Sequence, residues 1–156
     1  MVSIETLLYI IQGDRVLLIE KKKGLGKGLY NGVGGKVEEG ETPLEAAIRE
    51  CKEEIGVIPR DPEWMGILEF YNDGELYGYV HIFISRGFDG VPRGSDEAKP
   101  VWFTMDSLPY DNMWEDDRYW LPLVLLQNRK IYARFDFEDD WGRLVKKEIY
   151  ILELVS

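Results

Sequence analysis

A helix with complete start and stop signals is predicted directly after a glycine-rich turn in the first third of the chain. Thr42 can cap the first turn, Pro43 suits the first helical position, and Glu45 completes a capping box three residues after the cap. Gly56 is a C-terminal stop signal, and Pro59 lies shortly beyond it. We therefore expect a helix over residues 43–56, packed against another element of the fold.

The side chains of this helix separate into an apolar stripe and an acidic flank. At about 100° per residue, five apolar side chains share the face that should lie on a sheet. They are Leu44, Ala47, Ile48, Cys51 and Ile55. Glu50, Glu53 and Glu54 fall together beside the stripe, because residues three and four apart are neighbours on a helix. Their hard oxygen atoms suit Mg²⁺ or Mn²⁺; a solvated acidic face is the alternative interpretation.

These glutamates belong to a longer pattern with fixed spacing. It reads Gly35, five residues, Glu41, seven residues, Arg49-Glu50-Cys51, one residue, Glu53-Glu54, one residue and Gly56-Val57. The pattern resembles the Nudix box, Gly-x5-Glu-x7-Arg-Glu-U-x-Glu-Glu-x-Gly-U, in which U is apolar. Every fixed position is filled, and Cys51 packs as a small apolar residue where a larger aliphatic one is usual.

Resemblance to the Nudix family implies hydrolysis of nucleoside diphosphates linked to another moiety, with a divalent cation as cofactor. Mg²⁺ is the expected cation and Mn²⁺ the alternative. The implied metal ligands are Glu50, Glu53, Glu54 and the carbonyl group of Gly35. Arg49 resembles the residue that orients the carboxylates, and its spacing from Glu45 and Glu53 allows i,i+4 pairing on both sides.

Length, charge and cysteine content limit the remaining possibilities. At 156 residues, the chain is expected to form one domain over residues 1–156. Its net charge of −10 argues against a nucleic-acid partner, but not against a free nucleotide, because a bound cation reverses the local charge. A single cysteine fits a reducing, cytoplasmic interior, and no signal peptide or membrane span is recognised. A monomer or small homo-oligomer is expected.

Strand signals surround the predicted helix on both sides. Strands are expected at residues 4–11, 15–20, 61–71, 76–86, 101–104, 131–137 and 147–154. Three of the turns between them are hairpin signals: Gln12-Gly13-Asp14, Asn72-Asp73-Gly74 and residues 138–142. On the strand 76–86, the alternation of side chains should place Tyr77, Tyr79, His81 and Phe83 on one face.

The other segments are predicted to be loops and a second helix. Residues 21–28 and 88–100 are expected to be loops, and a helix should run from about residue 118 to 128, capped by Asp116 or Asp117. A mixed sheet with one helix on each face would bury both apolar stripes. The expected fold is therefore α/β, an α/β/α sandwich around a mixed β-sheet, which is also the Nudix fold.

A second resemblance covers most of the chain. The residues that carry it are Lys21-Lys22-Lys23-Gly24, Gly26, Gly28, Asn31-Gly32, Gly34-Gly35-Lys36-Val37, Ser95-Asp96-Glu97, Trp102-Phe103, Met113-Trp114, Asp116-Asp117, Tyr119-Trp120, Pro122 and Leu123. They are similar to the MutT-type branch of the family, whose mammalian members hydrolyse oxidised purine nucleoside triphosphates such as 8-oxo-dGTP. Leu25 and Glu115 depart from that pattern, where an aromatic residue and a proline are usual.

The MutT-type resemblance implies a site for an oxidised purine. The residues implied to bind the substrate are Thr6, Lys21, Asn31, Trp114, Asp116 and Asp117. Glu97 would be a further metal ligand and, with Glu53, a candidate general base. Two adjacent aspartates that face one base repel each other, so one should hold its proton near neutral pH and donate a hydrogen bond. Without the resemblance, a helix cap and an exposed acid would be the simpler interpretation of Asp116 and Asp117.

The function that this resemblance implies is removal of oxidised nucleotides from the nucleotide pool. The reaction would convert a purine nucleoside triphosphate to the monophosphate and pyrophosphate. One alternative is a Nudix pyrophosphatase for a nucleotide sugar, ADP-ribose or a dinucleoside polyphosphate. Another is a non-catalytic nucleotide-binding module, although the presence of every box carboxylate favours catalysis.

Overall fold

A mixed β-sheet with one helix on each face forms the framework of the protein, and the computed structural model describes residues 1–152. The strands are Ser3–Gln12 (β1), Arg15–Lys21 (β2), Tyr30–Asn31 (β3), Val33–Lys36 (β4), Ile58–Pro59 (β5), Glu63–Asn72 (β6), Glu75–Ser85 (β7), Phe88–Asp89 (β8), Ala98–Thr104 (β9), Lys130–Glu138 (β10) and Arg143–Leu152 (β11). The helices are Pro43–Ile55 (α1) and Asp117–Leu125 (α2), with a 3₁₀ turn at Tyr110–Asn112.

The sheet topology brings the glycine-rich turn beside the first strand. The hydrogen-bonded order within residues 1–152 is β11-β10-β6-β7-β1-β2-β3, with β4 paired to β1 and β9 paired to β2. β1 runs parallel to β7 and β6 parallel to β10, whereas the other pairs are antiparallel, so the sheet is mixed as predicted. In the β1–β4 register, Gly35 lies opposite Thr6.

The first two strands are buried on both faces, which explains their nearly continuous apolar sequences. On one face, Leu8 and Ile10 of β1 pack with Ala47, Cys51 and Ile55 of α1. On the opposite face, the intervening β1 residues Tyr9 and Ile11 pack in a second cluster with the α2 residues Trp120, Leu121 and Val124. The predicted α/β/α sandwich is therefore confirmed, with a separate core on each side of the sheet.

The start of α1 has the hydrogen bonds that its sequence predicts. Thr42 Oγ1 accepts from the Glu45 N–H at 3.1 Å, and Glu45 Oε1 accepts from the Thr42 N–H at 3.0 Å. The helix ends at Gly56, which has a left-handed φ of 72° and donates its N–H to the carbonyl group of Lys52. Both helix boundaries predicted from the sequence are confirmed to within one residue.

The buried face of α1 differs from the predicted stripe. Leu44 is exposed, although its angular position matches the stripe, whereas Ala46 on the acidic flank is fully buried. The helix is thus rolled toward its carboxylates, because it also packs closely against β4. This roll brings Glu50 and Glu54 partly out of solvent.

Other differences concern segment lengths in the second half of the chain. The expected loop 88–100 contains β8 and the start of β9, whose pairing with β2 extends from Ala98 to Thr104. α2 ends at Leu125 rather than near residue 128, and Asp116 occupies the N-cap position without a side-chain cap hydrogen bond. β11 begins at Arg143, before the predicted start, and the last two predicted residues, 153 and 154, lie outside the described part of the chain. No helix within residues 1–152 is long and apolar enough to cross a membrane.

A β-bulge changes the predicted side-chain pattern of β7. In the β6–β7 register, Phe70 lies opposite Gly78 but Tyr71 lies opposite Leu76, so Tyr77 is skipped. The extra residue turns the Tyr77 side chain to the face that carries Val80, and both line one cleft. Sequence alternation, which grouped Tyr77 with Tyr79, His81 and Phe83, was wrong at this position because it assumes unbroken pairing. Of that group, His81 accepts a hydrogen bond from Trp64 Nε1 at 3.1 Å.

The capping box gives a direct test of how α1 is held. Replacing Thr42 by alanine removes the acceptor for the Glu45 N–H, and we expect the free energy of unfolding to fall by about 1 kcal/mol. Thr42→Ser keeps the acceptor oxygen and should stay close to wild type. Urea denaturation of the three proteins measures the effect, and equal stability of all three would show that the cap contributes nothing.

Candidate functional site

The acidic flank of α1 packs against the two glycines of β4. A Cβ atom on Gly35 would lie 2.7 Å from the carboxyl carbon of Glu50, so a larger residue there would displace the Glu50 carboxylate from its present position. The adjacent Gly34 donates its N–H to Glu54 Oε2 at 3.2 Å, and a Cβ there would lie 1.7 Å from the Thr6 carbonyl oxygen. The glycine pair therefore serves both the sheet pairing and the placement of two carboxylates.

Arg49 lies among the carboxylates of the box. Its guanidinium donates two hydrogen bonds to Glu41, from Nη2 at 2.7 Å and from Nε at 3.0 Å. Its Nη1 donates to Glu50 at 2.7 Å and to Glu53 at 3.2 Å. It also donates to the Lys36 carbonyl oxygen at 3.0 Å, which ties α1 to the end of β4. The hydrogen bonds from Arg49 lower the pKa of Glu41 to about 2. These contacts agree with the predicted orienting role of Arg49.

One predicted partner of Arg49 is wrong. The i,i+4 spacing allowed pairing with Glu45, but that carboxylate accepts from the Thr42 N–H in the capping box. Glu41, in the turn before the helix, takes the place of Glu45. Glu41 is a fixed position of the box, so the box pattern indicated its importance. Helical spacing alone does not identify Glu41 as a partner of Arg49, because Glu41 lies before the helix.

Burial and mutual repulsion perturb the two inner carboxylates. Burial raises the pKa of Glu54 to about 8, with a further contribution from the charge of Glu50 and an opposing one from Lys21. Burial likewise raises the pKa of Glu50, against the hydrogen bond from Arg49. Glu97, near the start of β9, also acts on Glu54. The site therefore concentrates negative charge at low solvent exposure, where a cation would stabilise the ionised carboxylates.

The structure brings some of the predicted metal ligands together and holds one apart. Glu50 and Glu54 lie against β4, whereas the Glu53 side chain is 59% exposed and is held by Arg49. Across residues 1–152, no three acidic, histidine or cysteine side chains form a preassembled metal site. The hard oxygens of Glu50 and Glu54, with the backbone of Gly35 alongside, fit a divalent cation; Glu53 would have to turn away from Arg49 to join them.

A cleft of about 410 Å³ opens beside these carboxylates. It is lined by all six residues predicted to bind the substrate: Thr6, Lys21, Asn31, Trp114, Asp116 and Asp117. Gly35, Lys36 and Glu54 also line it, so the cleft is continuous with the acidic flank of α1. Residues from β1, β2, β3, β4, α1 and α2 thus meet in one cavity, as the sequence pattern indicated.

The two aspartates are buried at the start of α2. Both are only 2% exposed, and Asp116 Oδ2 accepts from Trp120 Nε1 at 2.9 Å. Burial raises the pKa of Asp116 to about 6 and that of Asp117 well above its ordinary value, where the neighbouring Asp116 charge adds to the effect. The alternative of an exposed acid beside a helix cap is therefore wrong, because neither aspartate is exposed and Asp116, at the N-cap position, makes no side-chain cap hydrogen bond.

Some buried polar side-chain atoms have no hydrogen-bond partner. Among the residues that the structure describes, Thr6 Oγ1, Tyr9 Oη and Asp117 Oδ2 are buried without a hydrogen-bond partner. Two of them, Thr6 and Asp117, line the cleft. Buried polar atoms nearly always have partners, so these two mark positions where a polar ligand is expected.

Aromatic rings form another part of the cleft wall. Trp114 was predicted from the sequence, but Phe70, Tyr77, Phe137 and Trp141 were missed. Phe70 and Phe137 lie in strands where apolar and polar residues alternate. That pattern does not distinguish a residue that lines a cleft from one that is buried in the core. The loop 21–28 also reaches the cleft: Leu25 lines it, and a Cβ on Gly26 would lie 3.1 Å from the Trp114 ring.

This fold and acidic helix define a Nudix protein. The NUDIX domain model matches residues 4–124, and the chain belongs to that family. It is 44% identical over 136 residues to the oxidized purine nucleoside triphosphate hydrolase of Mus musculus, covering 86% of each chain. It is 43% identical over 135 residues to the Danio rerio protein of the same name, covering 85% of each. Nudix hydrolases generally need a divalent metal, usually Mg²⁺.

The fold also matches a solved MutT structure. The crystal structure of the MutT protein from Bacillus halodurans superposes with a TM-score of 0.84 at 27% sequence identity, covering 95% of this chain and 97% of that one. The superposition therefore also includes most of the residues after 124, where the match to the family model ends.

The raised pKa values predict a specific pH dependence of stability. A carboxyl such as Asp117, whose pKa is raised well above 3.8 on folding, stabilises the fold fully below pH 3.8 and loses that contribution as pH rises through the folded value. Asp117→Asn removes this loss. On going from pH 4.5 to pH 8, we expect the unfolding free energy of the variant to rise relative to that of wild type, by about 1.4 kcal/mol for each unit by which the folded pKa of Asp117 exceeds 4.5.

Urea denaturation at the two pH values measures this change. Asp111→Asn is the matched control, since the Asp111 side chain is 97% exposed beside Arg118 and should show little pH-dependent difference. A difference between Asp117→Asn and wild type that is the same at both pH values would contradict the raised pKa.

Proposed function

We propose that this protein hydrolyses purine nucleoside triphosphates with an oxidised base, such as 8-oxo-dGTP, to the monophosphate and pyrophosphate, and so removes them from the nucleotide pool. The main support is that one cleft has two different ends. One end has a buried carboxyl pair and an aromatic ring, which suit a base. The other end meets a half-buried acidic helix, which suits a metal and phosphates. The names of the two similar animal proteins support the choice of substrate.

Base recognition is assigned to Asn31, Asp116 and Asp117, with Trp114 as the stacking surface. The raised pKa of both aspartates supports one proton shared by the pair near neutral pH. A protonated carboxyl donates to a carbonyl group, while its ionised neighbour accepts from ring and exocyclic N–H groups. An oxidised guanine presents both kinds of group, and stacking on an aromatic ring contributes about 1–3 kcal/mol per base. Thr6 Oγ1, buried and unpartnered, is available as a further polar contact.

The phosphates are assigned to the end of the cleft where Lys21, Lys36 and Glu54 lie. A divalent cation held there, with Mg²⁺ proposed and Mn²⁺ as the alternative, would neutralise phosphate charge and help to activate the attacking water. Its proposed ligands are Glu50, Glu53, Glu54, Glu97 and the carbonyl group of Gly35. Lys21 and Lys36 offset the remaining phosphate charge from the cleft wall.

Arg49 and the outer carboxylates are assigned supporting parts in the reaction. Arg49 holds Glu50 in place through a 2.7 Å hydrogen bond and so orients a proposed metal ligand. Glu53 and Glu97 are the two candidates for the general base that accepts the proton of the attacking water. The exposed position of Glu53 and its hydrogen bond to Arg49 mean that Glu53 must change its conformation to act.

The sheet, the net charge and the cysteine content support proposals about domain organisation, partner and location. We propose that residues 1–156 form one domain, because β10 and β11 continue the same sheet as β6. The acidic net charge of −10 supports a free nucleotide as the partner in place of a nucleic acid. A cytoplasmic location is supported by the lone, buried thiol of Cys51, and a monomer or small homo-oligomer is proposed.

Glu53→Gln tests the catalytic assignment. The substitution removes one negative charge at an exposed position, so the fold should keep its melting temperature within a few degrees. We expect kcat for 8-oxo-dGTP to fall by about 100-fold or more, in the range of a lost general base or metal ligand. Glu63→Gln, an exposed glutamate outside the site, serves as the control. Near-normal turnover by Glu53→Gln would contradict the assignment.

A substrate panel tests the proposed function itself. We expect kcat/KM to be highest for 8-oxo-dGTP when it is compared side by side with dGTP, 2-hydroxy-dATP and ADP-ribose, with pyrophosphate as the released product. Activity should disappear with EDTA and return on addition of Mg²⁺. A preference for ADP-ribose would favour a different Nudix pyrophosphatase, and the absence of any metal-dependent turnover would favour a non-catalytic nucleotide-binding module.

A further inference from the structure

Trp141 lies at the centre of the aromatic part of the cleft. Its ring contacts the other four aromatic rings there, with centroid distances of 5.1 Å to Tyr77, 5.4 Å to Phe137, 6.2 Å to Trp114 and 6.3 Å to Phe70. The Trp141 and Trp114 planes cross at 70°. The Trp141 ring is therefore steeply inclined to a base that lies flat on Trp114.

The backbone that carries Trp141 is strained. Between β10 and β11, three successive residues that are not glycine have left-handed φ angles: 55° at Asp139, 50° at Asp140 and 69° at Trp141. Aspartate tolerates this conformation, but a bulky residue such as tryptophan rarely adopts it. Such conformations persist only where the surroundings enforce them, and they cluster at ligand-binding positions.

Hydrogen bonds from the neighbouring hairpin enforce this conformation. Asn72 Oδ1 accepts from the Trp141 N–H at 3.0 Å, and Asp73 accepts from the N–H groups of Asp139 and Asp140 at 3.0 and 3.2 Å. The Asp73 N–H donates in return to the carbonyl group of Phe137 at 2.8 Å. The turn between β6 and β7 thus holds the turn between β10 and β11 through four hydrogen bonds.

Two other irregularities serve the same part of the cleft. The bulge in β7 turns Tyr77 toward Trp141, and their rings cross almost perpendicularly at 88°. Glu115, next to Trp114, accepts from the Leu144 N–H at 3.3 Å and so connects the loop of Trp114 to the start of β11. The position of Trp141 is therefore fixed relative to both Tyr77 and Trp114.

We propose that Trp141 is a specificity-determining residue of the base site, which selects purines over pyrimidines by contacting the part of a bicyclic base that extends beyond Trp114. The proposal rests on the proposed function, since it concerns the base that the same cleft takes. A pyrimidine stacked on Trp114 has one ring and leaves the space before Trp141 unfilled. A purine fills that space and gains contact with a second aromatic surface.

Trp141→Ala tests the proposal by the ratio of two affinities. The dissociation constants of 8-oxo-dGMP and dCMP, measured by calorimetry, do not depend on turnover. We expect the variant to bind 8-oxo-dGMP about tenfold or more weakly, which corresponds to one lost aromatic contact, and dCMP less than about threefold more weakly. In turnover, KM for 8-oxo-dGTP should rise while kcat stays within about twofold, because Trp141 is assigned no contact with the phosphates. Trp141→Phe should recover part of the purine affinity.

Matched variants separate this role from a general effect on the fold. Asn72→Ala removes the acceptor for the Trp141 N–H and should lower the purine preference in the same direction but less, whereas Asn72→Asp keeps an acceptor oxygen and should stay near wild type. If Trp141→Ala does not fold, the same dissociation constants are compared in these two variants and in Trp141→Phe. Tyr150→Ala, an exposed aromatic residue of β11, is the control and should leave both dissociation constants unchanged.

The outcomes distinguish this inference from the proposed function. An equal loss of purine and pyrimidine affinity in the Trp141 and Asn72 variants, or no loss, would overturn the role of Trp141 alone. Wild-type protein that binds 8-oxo-dGMP but hydrolyses no purine nucleotide would overturn the proposed function, while a fall in the purine preference on substitution would still support the role of Trp141.

Discussion

The contact between two half-buried glutamates of α1 and the glycine pair of β4 determines how the site is built. The Glu50 carboxylate packs against Gly35, where a Cβ would displace it, and Glu54 accepts the N–H of Gly34. This contact rolls the helix onto its acidic flank and takes carboxylates out of water, which is costly unless a cation compensates. Arg49 supplies part of that compensation through its hydrogen bond to Glu50, and the raised pKa of both glutamates shows that it is incomplete.

The rest of the cleft is arranged around this charged end. β1 contributes Thr6 directly opposite Gly35, so one strand pairing joins the acidic helix to the base pocket. The aspartate pair at the start of α2 is held by Trp120, which is itself buried in the second core. The two cores, one on each face of the sheet, thus fix the two ends of the cleft relative to each other. A nucleotide requires such an arrangement, because its base and phosphates differ in both polarity and charge.

Local sequence signals predicted α1, its caps and the position of the acidic residues, because capping and helical periodicity depend on neighbours in the chain. The cleft residues Asn31 and Asp117 were assigned through resemblance, and the structure places both in one cavity. Trp141 and Tyr77 could not be found in this way. Tyr77 is turned by a bulge that depends on strand register, and Trp141 by a turn that a separate hairpin clamps, so both follow from tertiary contacts.

The most direct measurement is an anomalous X-ray difference map from crystals soaked with Mn²⁺. We expect one strong peak between α1 and β4, next to the carboxylates of Glu50 and Glu54, and we expect it to be lost in crystals of Glu50→Gln soaked in the same way. A map without a peak at that position, or a peak that persists unchanged in Glu50→Gln, would contradict the claim that these half-buried carboxylates hold a divalent cation beside the cleft.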